Sequence, residues 1–113
     1  MTGTTLETLH PKCMYSDVKL KYYYLSDLCK ILKSGDIVAE LLEYQQIEPE
    51  EYFRIVCIES MHYLDKEKNY RLTIEYEHNG IIDIANVGAD STYSGFRLIT
   101  DPDEKAIVLL KFL

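Results

Sequence analysis

The chain's three histidines and three cysteines are the side chains best suited to metal binding or nucleophilic chemistry, and their spacing limits what they can do. His10 and Cys13 stand three apart in "HPKC". That spacing can grip one metal ion, but a four-ligand site needs a second pair, and the sequence has none. Glu59 and His62 in "ESMH" would be neighbours on a helix, whereas on a strand a separation of three sends them to opposite faces. His78 precedes Asn79-Gly80 and reads as an exposed residue beside a turn. The stretch "GADSTYSG", residues 88–95, offers glycines and hydroxyls, yet a phosphate cradle requires a glycine loop feeding a helix N-terminus. It reads as a surface loop. Glu75 and Glu77 beside Arg71 have the i, i+2 spacing of a solvated strand face rather than of a catalytic pair. No catalytic residue, metal or cofactor is therefore expected, and the chain reads as a non-enzyme.

A different chemistry is concentrated between Ser34 and Phe53. Asp36, Glu40, Glu43, Glu48, Glu50 and Glu51 fall in this stretch with no Lys or Arg among them. Tyr44 and Tyr52 bracket the glutamate-rich part. Carboxylates without interspersed bases steer a positively charged partner over a long range, and tyrosines anchor it once it arrives. The expected partner-binding residues are Glu40, Glu43, Tyr44, Glu48, Glu50, Glu51 and Tyr52. The plainer alternative is a solvated helix face followed by a decorated turn.

The elements that must carry these residues can be read from their periods. Residues 1–15, rich in Thr and holding Gly3 and Pro11, read as an arm or short edge strand. "SDVKLKYYYL" alternates, so Val18, Leu20, Tyr22 and Tyr24 should share the buried side, with Lys19, Lys21 and Tyr23 outward. Ser26 can cap a short helix with Leu28, Ile31 and Leu32 on one stripe, ended by Gly35. Asp36 can cap a second helix with Ile37, Leu41 and Tyr44 inward and Glu40 and Glu43 outward, stopped by Pro49. From Tyr52 the period becomes that of strands. Phe53, Ile55 and Cys57 are expected on one side, with Arg54, Val56 and Ile58 on the other. Asn79-Gly80 predicts a type I′ hairpin with Leu72, Ile74 and Tyr76 on one face. "FRLITDPDEKAIVLLKFL" is read as a second hairpin because β-branched and aromatic residues dominate it. Its alternative is a final helix with Asp101 as N-cap, Pro102 at the first position and Glu104 completing a capping box.

The predicted fold class is α+β: two short N-terminal helices packed on a mostly antiparallel sheet of about five or six strands, in a single domain over residues 1–113. A net charge of −7 opposes direct nucleic-acid binding, which needs Lys and Arg to displace counterions. The exposed Tyr23 between lysines in "KYYYL" is a device for stacking on bases, but it would have to work against that charge. Three cysteines without a CxxC pair fit reduced thiols in the cytoplasm rather than a disulfide framework. The N-terminus lacks the pattern of a secretion signal, and the longest apolar run, "AIVLL" at 106–110, is far short of a membrane span.

In size, charge and lack of catalytic motifs the chain resembles the small acidic immunity proteins of bacterial toxin systems and phage-encoded inhibitors of host nucleases. The resemblance lies in general character and attaches to no motif. It implies a cytoplasmic antitoxin-like inhibitor that blocks a basic site on a partner protein, such as a nuclease toxin, by occlusion. Two other functions fit the same residues. One is a small-ligand-binding or enzymatic α+β domain with a pocket between sheet and helices. The other is a self-assembling subunit pairing through the edge of "AIVLLKFL".

Overall fold

The computed structural model describes residues 4–11, 13–15, 20–42, 50–62, 68–89 and 94–113. After a 3-10 turn at Leu6–Thr8 come β1 (Cys13–Tyr15), β2 (Leu20–Tyr22), α1 (Leu25–Leu28), β3 (Ile37–Leu42) and β4 (Glu51–His62). They are followed by β5 (Lys68–His78), β6 (Ile81–Gly88), β7 (Ser94–Leu98), α2 (Pro102–Leu109) and a closing 3-10 turn at Leu110–Phe112. β1 and β2 form a small antiparallel ladder, while the main sheet has five strands in the order β6-β5-β4-β3-β7. Every pairing within the sheet is antiparallel.

This corrects the expected pair of N-terminal helices. The first shrinks to α1, a four-residue turn that starts at Leu25 rather than after Ser26. The second does not exist: the segment headed by Asp36 is β3, an inner strand of the sheet between β4 and β7. Its misreading has a physical cause. Ile37, Val38, Ala39 and Leu41 are all buried, because both faces of β3 are covered. A strand buried on both faces loses its two-residue alternation and reads as a continuous apolar run. β7 has the same property, with Ser94, Phe96 and Arg97 all buried.

The two faces carry two cores. On one, Val38, Phe53, Ile55, Leu72, Ile74 and Phe96 meet Tyr23, Leu25, Leu28 and Cys29 from the N-terminal segment. Phe53 and Phe96 make an edge-to-face pair there, with ring centroids 6.3 Å apart. On the other, Ile37, Ala39 and Ile99 meet Val108 and Phe112 at the C-terminus. That cover is a helix, not the expected strand. Asp101 caps it by accepting a hydrogen bond from the Glu104 amide, and Pro102 opens its first turn. Its apolar residues mislead because they are not all inward: Val108 is buried, while Ile107 and Leu110 are exposed.

Two local readings change in the same way. Tyr23 is buried and Tyr24 is exposed, the reverse of the expected alternation. Tyr23 bridges to Phe96 of β7 and exchanges both backbone hydrogen bonds with it, so β2 shields that edge of the sheet. The approach is close enough to need a glycine: a Cβ on Gly95 would lie 2.8 Å from Tyr22 Cβ. In β4 a register shift between Ile55 and Cys57 breaks the expected alternation. Beyond it Cys57 is exposed and Ile58 packs on the main core.

The Asn79-Gly80 hairpin is as expected. Both residues have positive φ, 52° and 81°. Leu72, Ile74 and Tyr76 face the main core.

Candidate functional site

The acidic segment runs into β4, and the sheet register decides what each of its carboxylates can do. Glu50, just before β4, points to the α2 face. Its two oxygens accept hydrogen bonds from Arg97 Nε at 3.1 Å and Nη2 at 2.8 Å, and the Tyr22 hydroxyl donates to it at 2.7 Å. Glu104 grips the same guanidinium from the other side, accepting from Nη1 at 2.8 Å and Nη2 at 2.9 Å. Arg97 is thus forked twice, the geometry in which a planar guanidinium binds carboxylates most strongly. Burial alone would weaken its hold on its proton. The hydrogen bonds to Glu104 and Glu50 outweigh this and raise its pKa above the ordinary arginine value. Glu104 moves the opposite way, its hydrogen bond from Arg97 holding its carboxyl below the usual range. The Tyr22 hydroxyl is pushed up by burial and by Glu50.

Glu40 lies on β3, half-buried on the main-core face, where helical reasoning had placed it outward. It stands directly across from Glu51 of β4 and Phe96 of β7. Burial raises its pKa, the Glu51 charge adds to the rise, and a hydrogen bond with Ser94 opposes it. It lines an apolar pocket of about 180 Å³ with Leu25, Phe53, Ile74, Val87 and Phe96.

Glu51 itself is exposed, and Tyr52 is half-buried against the second core. Together with Glu50 they line a cleft of about 270 Å³, whose far wall is Tyr76, Glu77 and His78 from the end of β5. Lys111 and Phe112 close it from the C-terminus, and the Lys111 ammonium lies 6.0 Å from the centre of the Tyr52 ring. Burial and then the charge of Glu50 raise the Tyr52 pKa. Glu77 accepts from the Gly80 amide at 2.6 Å and so also serves the hairpin turn. Glu43, Tyr44 and Glu48 lie outside the described residues.

The structure thus gathers Glu50, Glu51 and Tyr52 at one cleft and sets Glu40 in a separate pocket. Sequence reasoning passed over Arg97, took Glu104 only as a capping residue of the alternative final helix, and took Tyr76 and Glu77 only as the two faces of a strand. Only the pairing of β3 with β7 brings Arg97 to the acidic segment, across 47 residues of chain. The Asp101-Pro102-Glu104 cap was the one local sign that Glu104 starts a helix. Among the described residues no three His, Cys, Asp or Glu side chains gather where a metal ion could be held, and no helix is long and apolar enough to cross a membrane. Cys29 is buried in the main core, and burial pushes its thiol up to about 12, a protonated and unreactive form. No family model, curated protein or solved structure matches the chain.

Proposed function

We propose that the chain is a protein-binding inhibitor that meets a basic partner at the acidic end of its sheet and blocks that partner's site by occlusion. The supporting observation is the cleft that joins Glu51 and Tyr52 to Tyr76 and Glu77. Aromatic walls beside carboxylates suit an inserted Lys or Arg side chain, which gains ion pairing and contact with ring faces together. The reading is supported by the chain's own Lys111 ammonium, which already lies over the Tyr52 ring. With Glu50 paired to Arg97, Glu51 and Glu77 supply the local field, and the net charge of −7 supplies long-range steering. A nuclease or another nucleic-acid-handling protein is a partner class whose working surface is basic enough. The cytoplasm is the setting this reading implies.

The test isolates a basic partner from the source cells at low salt and measures its purified affinity for wild type and for a Glu48→Lys, Glu51→Lys double variant. The variant should bind at least about 10-fold more weakly, and wild-type affinity should fall as salt rises. Thermal stability should hold, since Glu51→Lys also removes the like-charge pairing with Glu40. Affinity indifferent to both salt and charge reversal would refute the reading.

A further inference from the structure

The pocket containing Glu40 lies on the face of the sheet opposite Arg97, and its composition is unlike that of the cleft. Phe53, Ile74, Val87, Phe96 and Leu25 make its walls, and among the described residues Glu40 is its one ionisable lining group. A carboxylate half-buried among aromatic and aliphatic side chains is costly unless something compensates it. Among the described residues the compensation is small. Glu40 has a hydrogen bond with the buried Ser94, while Glu51 directly across the ladder adds a second negative charge. Among the described residues no Lys or Arg pairs with it. Arg97, next to Phe96 on β7, lies on the other face and is held by Glu50 and Glu104.

We propose that this pocket binds a small organic cation, a primary amine carried on an aromatic or branched aliphatic body, with Glu40 as its counter-ion. The volume of about 180 Å³ exceeds the roughly 150 Å³ apolar cavity that accepts benzene in another protein, so a single ring with a short aminoalkyl arm fits. The ring would lie against Phe53 and Phe96, whose edge-to-face arrangement presents aromatic surface to a third ring. The ammonium would reach Glu40 and feel Glu51 behind it. An anion of the same shape would meet two carboxylates, and a neutral ligand would leave the buried charge uncompensated. Charge complementarity therefore selects the amine among ligands that the apolar walls would otherwise accept equally.

Three probes with one body separate these cases: benzylamine, benzyl alcohol and benzoate, titrated against the whole chain with amide chemical shifts as the readout. Benzylamine should saturate, with the largest shifts at Phe53, Ile74, Val87 and Phe96. Benzyl alcohol should bind at least about 10-fold more weakly, the value of a charge-assisted hydrogen bond to a carboxylate. Benzoate should not bind. In Glu40→Gln the preference for amine over alcohol should vanish while alcohol binding survives, and Val87→Phe should abolish both by filling the pocket. The wild-type series decides the matter even if a variant does not fold. Equal affinity for amine and alcohol, or no saturation by benzylamine at millimolar concentration, would overturn the proposal, as would an amine preference that persists in Glu40→Gln.

Discussion

Arg97 holds together parts of the chain that are distant in sequence: the residue before β4 through Glu50 and the first turn of α2 through Glu104. Its side chain is only 9% exposed and that of Glu50 16%, while Glu104 keeps 33%. If Arg97 becomes Met, two carboxylates are left facing each other without a cation. A broken buried ion pair of this kind costs about 3–5 kcal/mol, so the urea midpoint of Arg97→Met should fall steeply. Glu104→Gln should cost far less, about 1 kcal/mol, because Glu50 still neutralises the guanidinium and a neutral amide can accept one of its hydrogen bonds. Equal, small losses in both variants would show that the network contributes little to holding α2 on the sheet. The same residue explains why the candidate site was only half legible. The local sequence shows carboxylates but cannot show which of them meets an arginine 47 residues away.

At the scale of elements, the hairpin between β5 and β6 was legible because its signal is local and geometric. Asn79 and Gly80 adopt φ of 52° and 81°, and no atom lies within 4 Å of a Cβ built on Gly80. Backbone conformation alone therefore opposes a side chain there. Gly80→Val should destabilise the fold by about 1–3 kcal/mol, the cost of a forced left-handed residue, and Asn79→Gly should be nearly neutral. A chemical denaturation series measures both, and a neutral Gly80→Val would mean that the turn relaxes into another type. Where the environment is long-range, the local signal failed. β3 is covered on both sides, by α2 on one face and the N-terminal segment on the other, so its mostly apolar residues suit a helix stripe as well as a strand. α2 was obscured in the opposite way, its exposed Ile107 and Leu110 reading as a strand while its Asp101-Pro102 start was the truer guide. The shift in β4 after Ile55 likewise has no sequence mark, which is why Cys57 and Ile58 were assigned to each other's faces.

For the molecule as a whole, the two displaced carboxylates on opposite faces of the sheet pull the pH dependence of stability in opposite directions. Glu40 has its folded pKa raised by burial. Its contribution is fully present below the unfolded value of 4.5 and is lost as pH rises through the folded value. Glu104 has its folded pKa lowered by Arg97. Its contribution is present above 4.5 and is lost as pH falls through the folded value. Self-repulsion of a −7 chain also eases as pH falls from neutrality. Stability should therefore rise from pH 7 toward about 4.5–5 and drop below that, a maximum on the acid side of neutral. Each flank can be assigned. Glu40→Gln should be more stable than wild type at pH 7 and should flatten the neutral flank, whereas Glu104→Gln should leave that flank alone and flatten the acid one. Unfolding free energies measured from about pH 3 to 8 on the three proteins test this. A wild-type curve level between pH 7 and 5 would mean that Glu40 is solvated in the folded state, and it would also remove the half-buried charge that selects an amine in the pocket.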